Sequence, residues 1–192
     1  LHRQCMGISM SNSINPYISN SIATAANAEE HNKFLRAFNK EQEFKAKVTA
    51  FEEALQSVEN AEVQDETYNT CPVSHKFADG LFIREWESPP NQIVVSEIHK
   101  KSNPLFLMEG DVTLLTEAGA ERITPPWYTI TPAGHKRILY THTKTKFVNV
   151  TRSDHVDLET LREKMTYGSY SEVVKDFPEI EQIAKFIKAL EK

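Results

Sequence analysis

The chain has 192 residues, 40% of them hydrophobic and 26% charged, and a formal net charge of -5. That composition suits one globular domain with helical attachments rather than two full domains. It carries no strongly basic tract for tracking phosphates and no apolar run near the ~20 residues that span a bilayer, so neither nucleic acid nor membrane is expected as a partner.

The first residues, Leu1-His2-Arg3-Gln4-Cys5-Met6, lack the apolar centre of a secretory leader. An alternative start codon or an overlong reading frame is expected, with Met6 or Met10 as rival starts. Cys5 and Cys71 stand far apart and make no metal-type pair, so both are read as free thiols of a reducing compartment. Residues 1–28 form a polar arm rich in Ser, Asn, Ala and Ile, too polar to build a core of its own.

Residues 29–64 contain no Gly or Pro and are read as one long helix. Phe44, Val48, Phe51, Leu55 and Val58 recur at alternating steps of four and three, with Phe34 on the same line further back. This seam either brings copies of the chain together or lies on the chain's own globular body; Leu35 and Phe38 broaden the apolar face as the second would require. A connector follows over 65–79.

From Gly80 the period changes to that of strands. Expected strands are 81–86, 92–99, 105–108, 111–116, 121–124, 127–130, 137–141 and 145–151, with turns at Pro89-Pro90-Asn91, Ala118-Gly119-Ala120 and Pro132-Ala133-Gly134. Short β-rich runs at nearly regular spacing indicate a sandwich or barrel over 80–152. The last part, 153–192, is read as helices. One runs from Leu158 to Met165 with Asp157 as N-cap. Another starts near Pro178, with Ile180, Ile183, Phe186, Ile187 and Leu190 on one face.

The barrel segment resembles the cupin superfamily. Gly110, in Leu107-Met108-Glu109-Gly110-Asp111-Val112, matches the glycine that ends the first cupin motif, which sets Glu97, His99 and Asn103 at its His, His and Glu positions. Pro132-Ala133-Gly134 matches the turn of the second motif, but Arg137 and Thr141 stand where histidine and asparagine belong. The resemblance implies a mainly β, double-stranded β-helix barrel with a long N-terminal helix and C-terminal helices. Cupin enzymes hold a divalent metal with three histidines and a carboxylate. Here Glu97 and His99 with Asn103 could supply ligands, while Arg137 would put a fixed positive charge at the fourth position. The expected arrangement is therefore a polar cluster, Glu97 with Arg137 and His99, without cofactor. His135 and His142 are the alternative inward donors.

A closer resemblance spans residues 71 to about 165, through CPVSHKFADGLFIREW, EIHKK and PAGHKRILYTHTKTKFVNVTRSDHVDLETL. These runs look like cupin-like proteins of tailed bacteriophages, a group mostly without assigned activity. The resemblance implies a non-enzymatic, homo-oligomeric structural or assembly protein of the virion: an accessory, a collar or tail attachment, or a fibre component. It would be made in the host cytoplasm and meet other virion proteins. The alternatives are a metal-dependent cupin enzyme and a small-molecule or glycan-binding module. Gly-x-Ser-x-Gly and grouped-glycine phosphate loops are absent, and Glu85 and Glu87 are read as a solvated face.

Overall fold

The computed structural model describes residues 28–58, 70–154, 157–178 and 181, with side chains from Lys33 onward except those of 34 and 35. The arm up to residue 27, Cys5, the side chains of His31 and Phe34, the helix and connector over 59–69, His155, and the final helical face from Ile180 onward lie outside the described residues.

Helix α1 (Ala28–Gln56) precedes the strands β1 (Val73–Ala78), β2 (Leu81–Ser88), β3 (Gln92–Val95), β4 (Ile98–His99), β5 (Asn103–Glu109), β6 (Val112–Thr116), β7 (Gly119–Ile123), β8 (Trp127–Thr131), β9 (Ile138–Thr141) and β10 (Thr145–Arg152). Helix α2 (Leu158–Met165), strand β11 (Thr166–Tyr167) and helix α3 (Tyr170–Asp176) follow. One sheet has the order β1-β2-β10-β5-β8 and the other β3-β9-β6-β7, every pairing being antiparallel. Apart from the added β1, each strand of one sheet is followed across the barrel by strands of the other, and the last strand, β10, returns between β2 and β5. This is the double-stranded β-helix.

Alternation along the strands creates the interior. In β10, Thr145, Phe147, Asn149 and Thr151 are buried while the residues between them face out. The barrel is polarised end to end. One end is apolar, packed from Trp86, Leu105, Leu107, Val112, Leu114, Ile123, Leu139 and Phe147, with Trp86 stacked on Phe147 at 5.2 Å between ring centroids. The other end carries Arg84, Asn103, Thr131, Arg137 and Asn149 on the same inner faces. A cupin-type barrel of this size leaves little room for burying apolar area, so attached elements help cover it.

Two stretches depart from the expected pattern. Val73–Ala78, read as connector, is a strand that pairs along its whole length with β2. It lacks a clean alternation because it is an edge strand with five exposed residues. The run 92–99 is not one strand. It breaks after Val95, where Ser96 grips Arg137 twice: Ser96 N–H donates to the Arg137 carbonyl, and Arg137 N–H donates to Ser96 Oγ, both at 2.9 Å. The chain then resumes as β4, which pairs with β11 instead of β9.

Ile98, Tyr167 and Val173 form a second small core under the C-terminal elements. Asp157 caps α2, accepting from the Glu159 and Thr160 amides at 3.2 Å each. Helix α1 is joined to the barrel by the ion pair of Glu52 with Lys136, and its Val48 is 1% exposed. Phe44, Phe51 and Leu55 are half-buried, and Val58 stands 57% exposed. The Lys136 ammonium, almost wholly buried, donates to Glu52 of that helix and to the Gly168 carbonyl.

Candidate functional site

The polar end of the barrel gathers most of the site residues expected from sequence, but not in the expected contacts. Asn103 is 1% exposed on β5, and its Oδ1 accepts from Asn149 Nδ2 at 3.0 Å. Asn149 is the register partner of Arg84, and Asn103 that of Thr131. Arg84–Asn149 and Asn103–Thr131 are thus two neighbouring polar rungs on the inner face, joined diagonally by the bond between the asparagines, while Leu105 stands opposite Asn149.

Glu97 and Arg137 do not form a pair. The Glu97 carboxylate accepts from Arg162 of α2, with Nε at 3.2 Å and Nη2 at 3.0 Å from the same oxygen. Arg137 is 9% exposed, and the charge that acts on its guanidinium is Glu117. Burial pushes its pKa below the usual arginine range.

His99 sits where Arg84, Arg137 and Glu97 all act on it. Burial comes first in lowering its pKa, Arg84 adds to this, Glu97 opposes, and Arg137 adds a little more, leaving it at about 4. The imidazole is therefore neutral at pH 7. Arg84, which sequence reading passed over, is pushed below its ordinary pKa by burial, partly offset by Glu97. Its signal was present in the chain: in 81–86 it alternates with Phe82 and Trp86, both of which point inward.

The two alternative histidines are engaged elsewhere. His135 Nδ1 lies 2.7 Å from Glu117 Oε1. Burial alone would raise the Glu117 carboxyl, but the hydrogen bond and charge of His135 override it and hold the group below its usual range. His142 Nε2 lies 2.8 Å from Thr113 Oγ1, and the ring meets Tyr140 edge-on at 4.8 Å between centroids. Thr113 alternates with the buried Val112 and Leu114, so His142 is on the outer face.

A cleft of about 290 Å³ opens beside His99, lined by Lys101, Thr151, Arg152, Asp154, Lys164 and Met165 among others. Among the described residues no three His, Cys, Asp or Glu side chains come together in a way that could hold a metal ion. The cupin metal does not fit these residues. Its carboxylate candidate is turned to Arg162, its amide candidate is tied to Asn149, and its one imidazole feels the positive charge of Arg84 and Arg137, which would also repel a cation.

No family model matches the chain, and no curated protein matches it. Solved structures do. The fold neighbours are cupin proteins. A cupin superfamily protein from Desulfitobacterium hafniense DCB-2 is 14% identical, with 48% of this chain and 84% of that chain covered at a TM-score of 0.39. A cupin domain from Bordetella pertussis Tohama I is 18% identical over 43% and 93% of the two chains, TM-score 0.35. Ectoine synthase from P. lautus is 15% identical over 52% and 76%, TM-score 0.43. The strand order, not these scores, carries the assignment of the fold.

Proposed function

We propose that the chain is a non-enzymatic, homo-oligomeric structural or assembly protein of a tailed-phage virion, serving as an accessory, a collar or tail attachment, or a fibre component. The observation that carries the reading is an apolar outer face on the five-stranded sheet. Pro104, Phe106 and Met108 of β5 face outward beside Tyr128 and Ile130 of β8, with Phe106 stacked on Tyr128 at 6.1 Å between centroids. Met108, Tyr128 and Ile130 are 59%, 71% and 57% exposed. In register, Val148 continues the face onto β10, and Ile83 opposite Val150 continues it onto β2. β8 also ends the sheet, leaving one side of its backbone unpaired among the described residues.

Contiguous apolar surface on a sheet that ends in an open edge marks a place where another chain sits. The occupant is a second copy of this chain. The face is bordered by both signs of charge, Glu85 and Glu87 against Lys76, Lys144 and Lys146, so a two-fold mate meets no single-sign field. The seam helix has Val48 buried and Val58 exposed, and the sheet face is taken in its place as the main self-association surface. The phage setting rests on the sequence resemblance. Neutral His99, flanked by arginines and without a convergent donor set, supports a barrel used for shape and contact rather than for metal chemistry.

The setting is tested by proteomics of purified particles of the phage that encodes the chain. Its peptides are expected in stoichiometric amount with other virion proteins. Their absence from intact particles, with the protein present in the lysate, would contradict the reading.

A further inference from the structure

A proline decides which backbone groups of β8 are free. β8 lies on β5 with Thr131 opposite Asn103, Ile130 opposite Pro104, Thr129 opposite Leu105, Tyr128 opposite Phe106 and Trp127 opposite Leu107. Along an antiparallel pair, opposed residues alternate between those that exchange both backbone hydrogen bonds and those that exchange none. Pro104 has no N–H, so its pair with Ile130 is of the second kind. The bonded pairs are then those of Asn103, Leu105 and Leu107, and the N–H and C=O groups of Tyr128 and Ile130 point away from β5. Among the described residues no strand pairs with β8 on that side.

Open edges are commonly protected by charge. The opposite edge of this sheet, β1, carries Lys76. The β8 edge carries none, since no charged residue stands between Thr124 and Gly134. A second copy brought to this edge therefore meets no like charge. Prolines bound the edge instead: Pro126 and Pro132 stand three residues to either side of Thr129, in step with Tyr128 and Ile130, and neither can donate.

We propose that two copies of the chain pair edge to edge through β8, antiparallel about a two-fold axis at Thr129, so that their five-stranded sheets run on as one. The pairing rests on the self-association proposed above and names its contact. Centred on Thr129, Tyr128 of each copy stands opposite Ile130 of the other, and every N–H and C=O that these residues turn to the edge finds a mate. Centred on Tyr128, the pairing would set Ile130 against the other copy's Pro126; centred on Ile130, it would set Tyr128 against the other copy's Pro132. Either loses donors, so the prolines select the register. On the outer face the opposed Tyr128 and Ile130 make aromatic and β-branched cross-strand pairs, a combination that stabilises sheets. The stack of Phe106 on Tyr128 then flanks the junction in both copies and makes their apolar outer faces continuous.

The test is Thr129→Cys in the full chain, under a mild thiol oxidant. At the axis the two Thr129 residues form a pair without hydrogen bonds, with Cα atoms about 4.5 Å apart. A disulfide bridges about 4.4–6.8 Å. A dimer linked between the two substituted positions, identified by mass spectrometry of the joined peptide, is expected. Light scattering over a dilution series then compares Ile130→Pro with Ile130→Ala. Both remove the apolar side chain, but only proline removes an edge donor that β5 does not use, so association is expected to be about tenfold or more weaker in Ile130→Pro. If that variant does not fold, the cross-link decides alone. An assembled protein that gives no link at position 129, or that loses affinity equally in the two variants, would overturn the edge pairing and leave the sheet face as the contact. A monomeric wild type would overturn both.

Discussion

Arg162 of α2 holds the Glu97 carboxylate from outside the barrel, at 3.0 Å and 3.2 Å to one oxygen. Glu97 still acts on His99 and Arg84, but it does so as an acid fixed at the rim. The electrostatic state of His99 follows from this placement. In a proton-NMR titration, His99 is expected to titrate near pH 4. Removing the opposing charge in Glu97→Gln lowers that value further, and removing a like charge in Arg84→Met raises it. A wild-type value near the ordinary 6.5 would contradict the burial of the ring and the placement of the two arginines.

The same group makes stability depend on pH. Its folded pKa, about 4, lies below the ordinary 6.5, so the unfolded chain binds the proton more readily. The contribution of neutral His99 is fully present above about pH 6.5 and is lost as pH falls toward 4, about 3 kcal/mol in all at most. His75, lowered by burial and by Arg84, acts in the same direction. Urea denaturation from pH 7 to 4 is expected to show this fall, and His99→Phe is expected to flatten it.

The lysine that ties α1 to the barrel is the next place to probe. Glu52→Gln removes the countercharge of the buried Lys136 ammonium and leaves it neutral acceptors only, at a cost of about 3 kcal/mol. Replacing both, Glu52→Leu with Lys136→Met, is expected to cost far less, because no charge is then left unpaired. On the seam itself, Val48→Ala is expected to cost about 2 kcal/mol, whereas Val58→Asp changes stability by about 0.5 kcal/mol or less. Equal effects at the two valines would mean that the helix does not lie on the barrel as described.

Gly110 gives a sharper backbone test. It has φ +113, and an added Cβ would stand 2.5 Å from Thr145 Oγ1 and 2.8 Å from Thr145 Cα. Gly110→Ala combines a disfavoured conformation with a clash against backbone, and is expected to destabilise by about 3 kcal/mol or to abolish folding. Thermal unfolding measures it directly.

These residues show how far the sequence was legible. The strands and the barrel followed from period-two patterning and turn residues, because both are local. Gly110 and Pro132-Ala133-Gly134 located the barrel's turns for the same reason. Edge strand β1 was missed because an exposed edge need not alternate. The Glu97–Arg137 pair was expected from motif positions, which say where a residue falls in the chain and not which base its carboxylate meets. Arg162 lies 65 residues from Glu97, a contact no local pattern announces. Arg84 was hidden by the habit of reading charged strand positions as solvated; its inward alternation with Phe82 and Trp86 was the available sign. The apolar outer face was legible only as a surplus of hydrophobic residues at positions opposite the core, in 104–108 and 127–131.

The central claim, that the sheet face joins copies of this chain, is tested most directly by light scattering on the purified protein at micromolar concentration. The monomer mass is 21.9 kDa, and the wild type is expected at a whole multiple of that value, with Tyr128→Lys combined with Ile130→Lys returning it to the monomer. A wild-type protein that elutes as a clean 21.9 kDa species, or a double variant that stays assembled, would contradict it.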